Sequence, residues 1–169
     1  AVSLFVNDVT KVSAYKGDII IFGSTDSKKI LSKNYINLDL NKKIFQSTSK
    51  IYIQSFISSQ QKLNPNLIEV HNRPNYIRLF KKDYMNKLFL FFHNDPLTMS
   101  GSKTIMERIY LLNNVDKIIF NSKWSQNRFF VGLSNQNNLL HKTSVCYQSS
   151  SKIKINFKSK KKIISFVGK

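Results

Sequence analysis

Apolar positions follow two rhythms along this chain, a three-to-four spacing and short unbroken runs, and the two alternate throughout. Val2, Phe5, Val9 and Val12 recur at intervals of three and four, which predicts a helix over residues 2–14. Gly17-Asp18 breaks it, and Ile19-Ile20-Ile21-Phe22 follows as an apolar strand closed by Gly23. Residues 34–40 hold a second short strand. From Ser47 to Leu63, Ser and Thr supply N-caps ahead of Ile53, Phe56 and Ile57 on one helical face. Asn64-Pro65-Asn66 stops that helix, because proline cannot continue it.

The alternation then sharpens. Leu67-Ile68-Glu69-Val70 is a strand running into His71-Asn72-Arg73-Pro74, and Pro74 suits the first turn of a helix continued by Ile77, Phe80 and Tyr84. Residues 88–92 form the most apolar strand, which leads into His93-Asn94-Asp95-Pro96. A loop with Gly101 precedes a Thr104–Glu107 capping box, and Ile105, Ile109 and Leu112 predict the buried stripe of the helix it opens. Lys117-Ile118-Ile119-Phe120 is the next strand. Asn121-Ser122 caps a helix whose Trp124 and Phe129 are expected in the core. Val145 lies in a weaker strand, residues 148–162 are a Ser- and Lys-rich linker, and residues 163–168 read as a strand of the buried type.

Strands apolar on both faces, alternating with helices, imply an α/β fold built on an open, mostly parallel sheet with helices on both faces. The strands at 19–22, 67–70, 88–92 and 117–120 are expected to be neighbours in it. The division that follows is a domain over residues 1–147, a basic linker over 148–162, and in 163–169 the first strand of a further domain. The chain opens on Ala1 rather than Met, and its true beginning is expected upstream.

Composition narrows this picture. A chain of 169 residues, 41% hydrophobic, is enough for one packed domain and too short for two. Its longest apolar run is about that of residues 88–92, against the roughly 20 residues of a transmembrane helix, and no secretory signal pattern opens it. A lone Cys146 cannot make an internal disulfide, which fits a reducing, cytoplasmic compartment. The net charge is +18, carried mostly by lysine, and the abundance of Lys, Asn and Ile reflects in part an A/T-rich coding bias. Such a surface attracts phosphates, whether of a nucleic acid, an anionic lipid or a nucleotide.

Ligands of open parallel sheets bind beyond the carboxyl ends of the strands. Three polar sets stand there: His71, Asn72 and Arg73; His93, Asn94 and Asp95; Asn121, Ser122 and Lys123. If the sheet is parallel, His71 and His93 face one crevice. Asn72, Asn94 and Asn121 read equally well as turn or cap residues. Arg73, held extended by Pro74, could fork onto a phosphate or carboxylate or be a plain surface charge. His71, His93 and Asp95 lack the tight spacing of a metal site, Ser122 lacks the glycines of a nucleophile elbow, and no glycine-rich dinucleotide or phosphate loop occurs.

These strand ends carry a resemblance. The series Val70-His71-Asn72-Arg73-Pro74, Phe92-His93-Asn94-Asp95-Pro96, Glu107-Arg108 and Val115-Asp116-Lys117-Ile118-Ile119-Phe120-Asn121-Ser122-Lys123-Trp124 resembles the large retaining glycosyltransferase family of two facing Rossmann-like domains. That family includes lipopolysaccharide, sucrose and phosphatidylinositol sugar transferases. Residues 162–169 look like the opening of its second domain. The likeness covers about residues 67–169; residues 1–66 fit only as a helix-strand-helix pattern.

The resemblance implies a Rossmann-like, acceptor-side N-terminal domain of an enzyme that moves a sugar from a nucleotide-sugar donor to a glycan or lipid-linked acceptor with retention. It implies no metal and no cofactor beyond the donor, no nucleic-acid partner, and a cytoplasmic site of action that extends to the inner face of an anionic membrane. His93 matches the strand-end histidine beside the transferred sugar, and His71, Asn72, Arg73, Asn94, Asp95, Asn121, Ser122 and Lys123 would line the substrate side.

The family's glycine-rich first loop is absent, and Cys146-Tyr147-Gln148-Ser149-Ser150 replaces its usual proline-asparagine-glycine turn. Its paired-glutamate donor motif would lie in the second domain, so this chain alone is expected to be inactive. The competing reading is a basic, non-catalytic module for nucleic acid or anionic membrane. Its lysines, however, are spread over every element, and the dense run Lys158 to Lys162 sits in the linker.

Overall fold

The structure, a computed structural model, describes residues 2–26, 30, 32–40, 46–60, 63–80, 87–134 and 139–148. It is an α/β fold with a four-stranded parallel, Rossmann-like sheet. In chain order the elements are α1 (Val2–Val12), β1 (Ile21–Gly23), β2 (Tyr35–Asn37), α2 (Thr48–Gln60), β3 (Leu67–His71), β4 (Lys87–Phe92), α3 (Ile105–Asn114), β5 (Lys117–Phe120), α4 (Lys123–Phe130) and β6 (Thr143–Val145). Short 3-10 turns run over Pro74–Leu79, Pro96–Thr98 and Leu140–Lys142. The sheet order is β3-β4-β5-β6, all parallel.

The register determines which side chains share a face. Ile68, Val70, Leu90, Phe92, Ile118 and Phe120 alternate onto one face and form the core with Leu111, Leu112 and Phe129. Phe92 stacks on Phe120 at 5.5 Å, and Phe129 of α4 tilts against both. The opposite face holds Glu69, His71, Phe89, Phe91, Lys117 and Ile119. Its contact with α1 comes through Phe5, whose ring meets Phe91 edge-on at 5.1 Å. Helices thus cover both faces, one thickly and the other at its carboxyl end.

The strand at residues 19–22 departs from expectation. Its ordered part, β1, pairs in parallel with β2 in a separate two-stranded sheet and not with the other strands. An apolar run does not name its partner, and this one is only partly buried, with Ile20 40% exposed and Phe22 packed on α2. There Phe22 meets Phe56 edge-on at 5.0 Å, and the Tyr52 hydroxyl donates to the Phe22 carbonyl. Leu38, just after β2, reaches the main core and ties the small sheet to it.

Three further expectations are corrected. The buried stripe of α3 is Arg108, Leu111 and Leu112, continued by Val115, so Ile105 and Ile109 face outward. The cause is Arg108, a charged residue only 3% exposed. Its guanidinium donates to the carbonyls of Lys103 and Val131, which binds the start of α3 to the end of α4. Trp124 is 59% exposed, its ring 5.9 Å from the Arg128 guanidinium rather than in the core. The helix opened by Pro74 is a 3-10 turn that ends at Leu79, because Phe80 takes an extended conformation. Tyr84, nearly all of the linker at 148–162 and the strand at 163–168 lie outside the described residues.

Candidate functional site

The carboxyl ends of β3, β4 and β5 converge, and parallel pairing brings their polar sets together. His71 is the last residue of β3 and pairs in register with Phe91; His93 directly follows β4. Period two puts His71, Phe91 and His93 on one face. His71 Nδ1 lies 3.0 Å from His93 Nε2, a hydrogen bond between two imidazoles. The two rings thus meet at neighbouring strand ends on the same face of the sheet.

The backbone that delivers His93 is fixed by two asparagines. Asn72 is buried at φ +58°, a left-handed conformation asparagine tolerates better than most residues. There its Oδ1 accepts from the His93 amide at 3.0 Å, while its own amide donates to the Phe91 carbonyl. Asn121 Nδ2 donates to the His93 carbonyl at 2.8 Å. The peptide groups on either side of His93 are thus satisfied by side chains from the neighbouring strand ends. Both asparagines do the turn-building work that was one of their two readings.

His93 itself is 8% exposed. It stacks on Phe91 with centroids 4.4 Å apart and meets the Phe5 edge at 4.8 Å. Burial, and secondly the nearby His71, push its pKa down to about 4. The ring is therefore neutral at neutral pH, with one nitrogen donating and the other accepting. Its Nδ1 meets the Gln148 side-chain amide at 2.7 Å, and Gln148 is exposed. On the far side of the pair, Glu69 Oε2 stands 3.4 Å from His71 Nε2.

The other candidates divide. Asp95 caps the turn at Pro96, accepting from the Leu97 amide, and pairs with Arg128 at 3.3 Å, so its carboxylate is already engaged. Ser122 is the N-cap of α4, accepting from the Ser125 amide. Lys123 is exposed and donates to Gln126 within the same helix. Arg73 is exposed, and its guanidinium donates to the Asn72 carbonyl. Asn94 is exposed on the loop after His93. The histidines thus meet at one point, with Asn72 and Asn121 as their supports; Asp95, Ser122 and Lys123 serve local structure.

Sequence reasoning missed three neighbours of that point. Glu69 lies two residues before His71 on the same strand, so period two alone could have placed them together. Phe5 reaches the site from an element remote in sequence, and nothing local signals that. Gln148 lay in a segment read as linker. Among the described residues, no group of three or more His, Cys, Asp or Glu side chains could hold a metal ion. No family model, curated protein or solved structure matches this chain.

Proposed function

We propose that this chain is the acceptor-side domain of a retaining glycosyltransferase, which works with a second domain that holds a nucleotide-sugar donor. The observation that carries the reading is His93, a neutral, buried imidazole at the carboxyl end of a central strand and hydrogen-bonded to a histidine of the neighbouring strand. A neutral imidazole offers a hydroxyl-rich substrate an oriented hydrogen bond without placing a charge beside the reacting sugar. In a partly dry crevice that bond is stronger than in water. The resemblance at the strand ends agrees with this role. His71 stands beside His93, Asn72 and Asn121 hold the His93 backbone, and Arg73 and Asn94 are the exposed side chains open to an acceptor.

The acceptor is a glycan or a lipid-linked sugar, and the chain acts in the cytoplasm against the inner face of an anionic membrane. The donor is a substrate, and the reaction needs no metal or other cofactor. In the full-length enzyme, His93→Ala lowers kcat by about 10²–10³, the range for one preorganised hydrogen-bonding group, in protein that is less stable but still folds. His71→Ala raises the acceptor KM more than it lowers kcat. A His93→Ala enzyme with normal kcat, or one that fails to fold, would make His93 a structural loop residue and end the proposal.

A further inference from the structure

Four side chains form an unbroken polar line across the carboxyl ends of β3 and β4: Glu69, His71, His93 and Gln148. Two neutral imidazoles in contact can be ordered in only two ways. In the first, His71 carries its proton on Nε2 facing Glu69, its bare Nδ1 accepts from His93 Nε2–H, and His93 Nδ1 is left bare to accept from the Gln148 amide. In the second, every proton is shifted: His71 Nδ1–H donates to His93 Nε2, His93 Nδ1–H donates to a flipped Gln148 oxygen, and a bare His71 Nε2 faces the Glu69 carboxylate. The second order sets a lone pair against a negative charge. The first sets an N–H dipole towards it.

We infer that Glu69 and His71 are positioning residues that hold His93 in the tautomer with its proton on Nε2, leaving His93 Nδ1 as a fixed acceptor for a ligand hydroxyl at the place where Gln148 now sits. The tautomer part stands on the contacts alone; the hydroxyl ligand rests on the glycosyl-transfer reading above. At 3.4 Å, and with a half-exposed carboxylate, Glu69 acts through its charge more than through a short hydrogen bond. The two orders differ in what His71 Nε2 presents to the Glu69 carboxylate, so the choice between them falls to Glu69. Gln148 suits a placeholder: it is exposed, and it reaches Nδ1 with an N–H, as a sugar hydroxyl would with its O–H.

The test is histidine-labelled nitrogen NMR on this chain, in which two-bond proton–nitrogen correlations distinguish the tautomers. His71 and His93 should both appear protonated on Nε2. Glu69→Leu, at a half-exposed position on an edge strand, should leave the fold intact and lower the Nε2–H to Nδ1–H ratio of both rings about three- to tenfold. Glu69→Gln, whose carbonyl can still accept, should restore most of it. His93 protonated on Nδ1, or a ratio unmoved by Glu69→Leu, overturns the positioning role. The ligand part is read separately by titrating Gln148→Ala protein with a methyl hexoside, using Gln148→Ala with His93→Phe as the control. A hexoside-dependent shift at His93 Nδ1 is expected in Gln148→Ala, together with shifts of the neighbouring amide signals that vanish in the His93→Phe control. No shift, with the tautomers as described, sinks the sugar-hydroxyl acceptor and leaves the positioning intact.

Discussion

His93 is held on all sides by groups that favour its uncharged form. Phe91 and Phe5 cover the ring, and the His71 imidazole meets its Nε2. Its pKa of about 4 in the folded chain compares with about 6.5 in an unfolded one. Between those values the unfolded chain binds a proton that the folded chain refuses. The stability contributed by the neutral ring is therefore whole above pH 6.5, is lost steadily as pH falls towards 4, and levels off below it. The slope has a ceiling of about 1.4 kcal/mol per pH unit. Urea unfolding from pH 4 to 7.5, compared between this chain and His93→Phe, isolates the effect, because Glu69, His71 and the Asp95–Arg128 pair are common to both. Parallel stability curves for the two proteins would mean that His93 titrates normally in the fold.

At the scale of elements, what the sequence disclosed and what it hid have different physical origins. The central strands β4 and β5 were legible because they are apolar nearly throughout, as residues 88–92 show, and the edge strand β3 because buried Ile68 and Val70 alternate with exposed Leu67 and Glu69. The meeting of His71 with His93 was legible too, since a parallel register sets the ends of neighbouring strands side by side. Buried charge and non-local contact were hidden. Arg108 is internal because two backbone carbonyls receive its guanidinium, and no periodicity of apolar residues reveals that. The pairing of β1 with β2, and Phe5 of α1 over the histidines, are choices of partner that a one-dimensional pattern does not contain.

Gly101 shows the same kind of dependence between elements. Its φ is +95°, and a Cβ there would stand 2.5 Å from the Asn75 backbone nitrogen, in the turn that follows His71 and Arg73. Neither the left-handed backbone nor the rigid neighbour leaves room for alanine. Gly101→Ala should cost about 2 kcal/mol or more, within the range for a strained position with an added clash. A lower urea midpoint with an unchanged slope is the expected result; an unaltered midpoint would show that the loop can move away from the Pro74 turn.

The whole molecule carries a charge of +18, with lysines on α1, α2, β4, β5 and α4 and in the loops between elements, and among the described residues no helix is long and apolar enough to cross a membrane. The charge is too dispersed to mark one binding groove, but a dispersed positive surface is well suited to a broad negative one. An outward strip on α3 adds apolar weight, with Ile105, Met106 and Ile109 exposed beside Arg78 and the half-buried Tyr110. Each lysine near an anionic bilayer contributes on the order of 1 kcal/mol, and the contribution decays within a Debye length of about 10 Å at 0.1 M salt. Binding should therefore be strong to vesicles containing anionic lipid at low salt, weak to neutral vesicles, and largely reversed by raising the salt. If Met106 and Ile109 enter the interface, Met106→Ser with Ile109→Ser should weaken the salt-resistant part alone, because removing apolar area leaves the Coulomb attraction in place. Sedimentation with the two vesicle types across a salt series separates these contributions. Equal binding to neutral and anionic vesicles would show that the basic surface has no part in membrane attachment, and would leave the lysine excess to coding bias.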